Sequence, residues 1–175
     1  MLYNKLGKTN LEVLRLGFGT MRLPTKGPND QIVEDEASAM LTYGIENGIN
    51  LIDTAYPYHS ATLEGSGNSE IFLGNFLNET SYRDDIILST KSPIWEIDKK
   101  EDFDYYLDEQ LEKLQTDYID IYLLHSVTEP DWNKIKDLNV FDFLDDCLSS
   151  GKVKHIGFSS HMEVDYVIEV IDENR

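Results

Sequence analysis

The chain has 175 residues, 41% of them hydrophobic and 11% aromatic, so we expect residues 1–175 to form a single globular domain with its own core. Its 33 acidic residues against 15 basic ones give a formal net charge of −18. This charge disfavours binding to nucleic acid or to an anionic membrane surface.

The N-terminal segment MLYNKLGKTN lacks the apolar core of a secretory signal peptide. No later stretch is long and apolar enough to span a membrane, so we expect a cytoplasmic protein. The overlapping segment KLGKTNLEVLRL alternates around a Lys-Thr-Asn turn. This pattern predicts a small β-hairpin that closes the floor of a larger structure.

Five short apolar runs follow, each too short for a stable helix and too continuous for a half-exposed strand. They predict strands buried on both faces, at Leu16–Met21, Asn50–Ala55, Ile86–Thr90, Ile119–Leu124 and Val153–Phe158. Segments with helical spacing alternate with them, at about 30–47, 69–78, 102–115, 137–150 and 163–174. The repeated order of strand and helix indicates right-handed crossovers and a parallel sheet.

The ends of the predicted strands are regularly spaced. Separations of 34, 38, 34 and 34 residues lie between Gly19, Asp53, Lys91, His125 and Ser159. A regular βα array with polar strand ends is typical of a (β/α)₈ barrel, the TIM-barrel type of α/β fold. A doubly wound sheet is the competing fold, and it ranks lower because Gly17-Phe18-Gly19 is not completed to the G-x-G-x-x-G fingerprint.

Five βα units are fewer than the eight of a complete barrel, which usually needs roughly 250 residues. We therefore expect a barrel truncated to about five units, with two open strand edges and an exposed apolar interior. Such edges would be covered either by self-association or by a complementing chain.

Four polar residues are predicted to meet at the mouth of this barrel. Asp53, Lys91 and His125 end neighbouring strands, and Tyr58 lies one short loop beyond Asp53. An ammonium beside a phenol favours the phenolate, so Lys91 would make Tyr58 a plausible proton donor. Asp53 would supply the counter-charge of a buried Lys91, and a neutral His125 would orient a substrate oxygen. The four residues together predict proton-transfer chemistry.

The same residues leave two other classes of function open. A lysine near an acid and a phenol is also how an aldolase-type barrel forms an imine, which would make the protein a Schiff-base lyase using Lys91. A non-catalytic binding or regulatory module would keep the barrel surface without turnover. Packing or solvated-loop roles are expected for Tyr56, His59, His155 and His161. With a single cysteine, Cys147, and no close pair of ligands, we expect no metal.

Several motifs resemble those of the aldo-keto reductase family, in order and spacing. They are Asp53-Thr-Ala-Tyr-Pro-Tyr58, Ser69-Glu70, Ser-Thr-Lys91, Asp120-Ile-Tyr-Leu-Leu-His125 and Ile156-Gly-Phe-Ser159. The resemblance covers essentially the whole chain and is closest in style to members with a C-terminal ferredoxin-like extension. It implies an NADP(H)-dependent oxidoreductase of the alcohol dehydrogenase or carbonyl reductase type, which acts on a small-molecule aldehyde or ketone. Tyr58 would be the general acid, Asp53 and Lys91 would tune it, and His125 would orient the carbonyl.

The resemblance also implies a cofactor site, with NADP(H) as the expected cofactor and NAD(H) as the alternative. Gly19, Thr20, Met21 and Asp53 would approach the nicotinamide ribose, and the carboxamide would be held by Ser159 and Ser160. Ser160 stands where many family members have asparagine, and the segment HSATLEGSGN lengthens the loop that follows Tyr58. The family's adenosine-phosphate site lies on the seventh and eighth strands, so we expect the five-unit chain to be weakly active or inactive alone.

Overall fold

The computed structural model describes residues 2–27, 31–62 and 65–173. The chain begins with an antiparallel hairpin of β1 (Tyr3–Lys5) and β2 (Glu12–Leu14), which confirms the predicted N-terminal hairpin. The side chain of Asn50 accepts a hydrogen bond from the Leu14 amide and donates one to the Glu12 carbonyl. Because Asn50 directly precedes a strand of the main sheet, these bonds hold the hairpin at the end of the sheet where that strand begins.

The first predicted strand is much shorter in the structure. β3 covers only Phe18–Gly19, and the residues after it, Thr20–Arg22, form a 3₁₀ turn. A second antiparallel pair, β4 (Thr25–Lys26) and β5 (Gln31–Ile32), was not predicted. The predicted start of the first helix, at about residue 30, lies outside the described residues.

The remaining elements alternate between helices and strands. In chain order they are α1 (Glu34–Glu46), β6 (Leu51–Asp53), α2 (Ser69–Thr80), β7 (Ile87–Ser92), α3 (Lys100–Leu114), β8 (Ile119–Val127), α4 (Glu129–Asp137), α5 (Val140–Ser150), β9 (Val153–Ser160) and α6 (Val164–Asp172). Two further 3₁₀ turns cover Tyr82–Asp85 and Ile94–Glu96. The predicted alternation of strand and helix is confirmed.

The main sheet is parallel throughout, in the order β3-β6-β7-β8-β9. This spatial order is also the order of the strands along the chain. A doubly wound sheet reverses its strand order at a switch point, whereas the wall of a βα barrel adds each new strand on the same side. The single direction of winding therefore excludes the doubly wound alternative for the described strands.

The helix predicted at about 137–150 corresponds to α5, and the helix before it, α4, was not predicted. α5 starts at Val140, and α4 precedes it over Glu129–Asp137. Thr128 caps α4, since its hydroxyl accepts from the Asp131 amide, and Pro130 occupies the first turn. Threonine before a helix and proline in its first turn are a recognised start pattern for a helix.

Burial differs between the centre and the edge of the sheet. All six residues of β7 are buried, as predicted for a strand covered on both faces. In β9 only Val153 is buried, and Ile156 is 40% exposed, so the prediction of full burial is wrong for this strand. Among the described strands β9 has β8 as its single neighbour, which accounts for its greater exposure.

The alternation of side chains along β7 sets up two different environments. Ser89 and Lys91 point to one face, where they reach Asp53 on β6. Thr90 points to the other face, where it meets residues of α2 and α3. Successive strand residues face opposite sides of the sheet. The side chain of Lys91 is therefore contacted from one side of the sheet, and its backbone can be contacted from the other.

No described helix is both long and apolar enough to cross a membrane.

Candidate active site

Lys91 is the centre of the candidate site. Its side chain is only 8% exposed, and Nζ lies 2.6 Å from Asp53 Oδ1, 2.7 Å from the Thr54 carbonyl oxygen and 3.1 Å from the Tyr58 hydroxyl oxygen. An ammonium has three N–H donors and no acceptor. All three donors therefore have partners, and one of those partners is the carboxylate that balances the charge.

Asp53 is oriented by two residues of β7. Its Oδ1 accepts a hydrogen bond from Lys91 Nζ, and its Oδ2 accepts a hydrogen bond of 3.0 Å from the Ser89 hydroxyl. Ser89 lies two residues before Lys91 on β7 and directly opposite Asp53 in the register of β6 and β7. The carboxylate is thus fixed by neighbours on the strand that also carries the lysine.

Tyr58 lies in a loop that is held in place by backbone hydrogen bonds. The Tyr58 amide donates to the Ala55 carbonyl, and the Tyr58 carbonyl accepts from the amide of Ser69 at the start of α2. Gly67 packs so closely against the Tyr58 carbonyl that a Cβ atom would not fit there. The glycine requirement and these bonds place the phenol over Lys91, whose Nζ is 4.7 Å from the ring centroid.

His125, on β8, faces Tyr58 across the site. The two ring centroids are 6.0 Å apart and nearly perpendicular, and the Trp95 ring lies 5.3 Å from His125 on another side. Burial, together with the Lys91 ammonium and His161, lowers the pKa of His125 to about 4. The imidazole is therefore neutral at physiological pH, and its Nδ1 is buried without a hydrogen-bond partner among the described residues.

A cavity of about 650 Å³ opens beside these residues. Its walls combine the aromatic ring of Trp95 with polar and charged side chains, among them Arg22, His125, Asp131 and His161. Tyr58 also lines this cavity. The four predicted site residues are thus brought together: Tyr58 and His125 line a space large enough for a small organic molecule, and Lys91, paired with Asp53, donates to the Tyr58 hydroxyl.

Comparison with known proteins identifies the family. The model of the aldo/keto reductase family matches residues 15–174, which is nearly the whole chain. The chain belongs to the aldo/keto reductase family. The match includes β3, all the later strands and the four predicted site residues.

Two curated relatives and one solved structure illustrate the match. The chain is 32% identical to Protein tas of Escherichia coli (strain K12) over 91% of its length and 52% of the relative, and 33% identical to L-galactose dehydrogenase of Arabidopsis thaliana over 95% and 50%. The holo form of the aldo-keto reductase AKR11C1 from Bacillus halodurans superimposes with a TM-score of 0.74 at 30% identity, covering 98% of this chain and 54% of that one.

These aldo/keto reductase neighbours confirm the predicted TIM-barrel type of α/β fold. The chain spans about half the length of the curated relatives it matches. Its five parallel strands correspond to a part of the barrel wall.

The residues assigned to a nicotinamide cofactor differ in accessibility. Met21 is 49% exposed and lines the cavity, and the side of Gly19 that would carry a Cβ faces open space. The Thr20 hydroxyl, in contrast, is fully buried and bonded to the Asp53 carbonyl and to Ser69. The Met21 side chain is thus accessible from the cavity, whereas Thr20 is buried, and cofactor contacts from Gly19, Thr20 and Met21 stay a prediction.

Ser159 and Ser160 both have their hydroxyls engaged with the end of β8. The Ser159 hydroxyl oxygen accepts from the Ser126 amide, and the Ser160 hydroxyl donates to the Val127 carbonyl. Ser126 has a left-handed backbone, with φ of 53°, at the irregularity between β8 and β9. These bonds hold the ends of the two strands together, and a carboxamide contact from either serine stays a prediction.

Two of the weaker sequence candidates have clear packing partners. Tyr56 is buried, with its ring edge against Tyr106, and burial followed by the nearby Glu109 raises the pKa of Tyr56 to about 12. His59 is also buried, and its Nε2 lies 3.0 Å from the Thr20 carbonyl oxygen and 3.3 Å from the Leu23 amide nitrogen.

The other two weaker candidates are histidines near the end of the chain. His161 lines the cavity, and His155 is half-buried on β9. No cluster of three potential metal ligands occurs among the described residues.

Three contacts of the site were not predicted from the sequence. They are the Ser89 hydroxyl on Asp53, the Thr54 carbonyl on Lys91 and the Trp95 ring beside His125. The spacing of two between Ser89 and Lys91 is a detectable pattern, because alternate residues of a strand share a face. Thr54 contributes only its backbone carbonyl, so this contact leaves no pattern in the residue types.

Proposed function

We propose that this chain carries the catalytic half of an NADP(H)-dependent oxidoreductase that reduces an aldehyde or ketone to the alcohol, with NAD(H) as the alternative cofactor. One observation carries the proposal: the Lys91 ammonium donates to both the Asp53 carboxylate and the Tyr58 hydroxyl. Membership of the aldo/keto reductase family and the oxidoreductases among its relatives support the same reaction class.

The reaction requires one hydride and one proton for each carbonyl group. A reduced nicotinamide, when bound, supplies the hydride to the carbonyl carbon. The Tyr58 hydroxyl gives its proton to the carbonyl oxygen, and the Lys91 ammonium at 3.1 Å stabilises the phenolate that remains. Asp53 balances the charge of the Lys91 ammonium and fixes its position, and solvent then restores the proton on Tyr58.

His125 has a positioning role in this proposal. Since it is neutral, one ring nitrogen can donate a hydrogen bond to the carbonyl oxygen without adding a second positive charge beside Lys91. The ring contact with Trp95 restricts its movement. A carbonyl held in the cavity would then meet two donors, Tyr58 and His125, at one oxygen.

A single-turnover assay tests the proposal. The protein, in excess over NADPH or NADH, is incubated with an electron-poor aromatic aldehyde, and the alcohol is quantified by chromatography. We expect slow alcohol formation that falls at least about 100-fold in Tyr58→Phe. Tyr105→Phe, on an exposed tyrosine, is the matched control and should change nothing. An equal yield from Tyr58→Phe and the unmodified chain would refute the proposed role of Tyr58.

The two alternative classes can be separated from this reaction. An imine needs a neutral amine on Lys91, whereas all three of its N–H donors are engaged and Asp53 favours the ammonium. Borohydride trapping of a substrate adduct on Lys91 would favour the lyase. Unchanged biological activity in both Lys91→Met and Tyr58→Phe would favour a non-catalytic module.

We also propose that a complementing segment of a barrel covers the open edges of the sheet in the active assembly. Exposed apolar side chains flank both edges, including Leu16 and Met40 beside β3, and Val164 and Ile168 on α6 beside β9. Light scattering across a concentration series distinguishes a complementing segment from self-association, since concentration-dependent dimers would favour self-association.

We also propose that the protein is cytoplasmic, with which the free thiol of Cys147 is compatible.

A further inference from the structure

A buried carboxyl that the proposed reaction does not use lies on the far side of the sheet from Tyr58. Glu70, the second residue of α2, is 0% exposed. Burial raises the pKa of Glu70 to about 7, so the group is largely uncharged in mildly acidic solution. Burying a carboxyl in this way is costly unless its oxygens accept hydrogen bonds, and among the described residues only Oε1 of Glu70 has partners.

Hydrogen bonds connect this carboxyl to two neighbouring elements. Glu70 Oε1 accepts from the Thr90 hydroxyl at 2.6 Å and from the Gln110 side-chain amide at 2.6 Å. Thr90 belongs to β7 and Gln110 to α3, and Gln110 is also 0% exposed. One oxygen of Glu70 therefore fixes the positions of a strand residue and a helix residue together.

The side-chain amide of Gln110 also contacts Lys91 and Tyr122. Gln110 Nε2 lies 3.1 Å from the Lys91 carbonyl oxygen, and the Tyr122 hydroxyl donates to Gln110 Oε1 at 2.8 Å. With an acceptor at Glu70 and a donor at Tyr122, only one orientation of the Gln110 amide satisfies both partners. In that orientation Nε2 faces the backbone of Lys91.

Close packing of α2 against α3 makes this geometry possible. Gly74 lies one turn after Glu70, and a Cβ at Gly74 would collide with the Lys113 carbonyl of α3. The two helices therefore approach at backbone distance, which brings Glu70 within reach of Gln110.

We propose that Glu70 is a positioning residue, which acts through Gln110 and Thr90 to hold the β7 backbone where Lys91 can donate to Asp53, Thr54 and Tyr58 together. The inference deepens the proposed function and rests on it for its catalytic meaning. Its geometric content, the fixing of the Lys91 ammonium, can be measured without any turnover.

The test observes the Lys91 ammonium directly by NMR. Protein labelled with ¹⁵N-lysine is examined near pH 6, and the Nζ–Hζ cross-peak that Lys91→Arg removes is assigned to Lys91. An ammonium with three protein partners exchanges its protons slowly with water. In Glu70→Leu we expect a displaced cross-peak and exchange with water about tenfold faster, the effect of losing one hydrogen bond of ordinary strength.

Three further variants separate positioning from general destabilisation. Glu70→Gln keeps an acceptor for Thr90 and Gln110, so it should retain the Lys91 cross-peak. Leu77→Val, also buried on α2, loses packing alone and should retain it as well. Gln110→Met removes the hydrogen bond to the Lys91 carbonyl with little change of volume and should show the same change of the Lys91 cross-peak as Glu70→Leu. It provides the test if Glu70→Leu does not fold.

An unchanged Lys91 cross-peak in folded Glu70→Leu or in folded Gln110→Met would overturn the proposal. Equal alcohol yields from Tyr58→Phe and the unmodified chain, with these NMR results as expected, would contradict the proposed function and leave the positioning role standing.

Discussion

The Ser89 hydroxyl donates to Oδ2 of Asp53 at 3.0 Å, on the opposite side of the carboxylate from Lys91. The two residues face each other across the register of β6 and β7. Because both oxygens of Asp53 are engaged, the carboxylate has one orientation relative to the lysine.

Ser89→Ala should therefore loosen Asp53 without removing its charge. We expect a loss of about 1 kcal/mol in the free energy of unfolding, measured in urea, and a fall in reductase rate of several-fold. Ser149→Ala, on an exposed position of α5, should change neither quantity. An undiminished rate in Ser89→Ala would show that the orientation of Asp53 does not matter.

His125 should remain neutral well below physiological pH, because burial and Lys91 hold its pKa at about 4. Its ring signals in an NMR titration, assigned with His125→Gln, should stay constant from pH 8 to 5 and move only toward pH 4. Since the folded-state pKa lies below the ordinary value, the stability that His125 contributes is present above about pH 6.5 and is lost as the pH falls toward 4. A midpoint near 6.5 would contradict this environment.

Glu70 has the opposite sign of pH dependence. Its folded-state pKa of about 7 lies above the ordinary value of 4.5, so its stabilising contribution is complete below pH 4.5 and is lost as the pH rises through 7. Relative to Glu70→Gln, which does not titrate, the unmodified chain should lose about 3 kcal/mol of unfolding free energy over this range. Urea unfolding of both proteins from pH 4.5 to 8 measures it, and a constant difference would refute it.

His59 adopts a left-handed backbone, with φ of 59°, directly after Tyr58. His59→Gly and His59→Ala both remove the imidazole from Thr20 and Leu23, but alanine alone keeps the backbone strain. We expect His59→Ala to unfold about 1 kcal/mol more easily than His59→Gly in urea. Equal stabilities would indicate that the loop relaxes to another conformation.

Much of the sheet could be predicted from the sequence because parallel strands covered by helices leave continuous apolar runs, as β7 and β8 do. The predicted first strand was too long because the run Leu16–Met21 continues beyond the two residues that pair with β6. Nothing in its apolar pattern distinguishes the strand residues Phe18–Gly19 from the 3₁₀ turn that follows.

Part of the site was likewise accessible from the sequence. Asp53, Lys91 and His125 stand out because polar residues at regularly spaced strand ends are typical of the mouth of a βα barrel. The contacts that hold them were not accessible, since the Thr54 carbonyl carries no residue signature. The pairing of Glu70 with Gln110 joins positions 40 residues apart through the packing of two helices.

The central claim is that Lys91 acts on catalysis through Tyr58. A double-mutant cycle on the single-turnover reductase rate, with Lys91→Met, Tyr58→Phe and the combined variant, tests it most directly. We predict that each single change is severely slowed and that the combined variant is no slower than Tyr58→Phe. Losses that multiply in the combined variant would show that the two residues act independently and would contradict the claim.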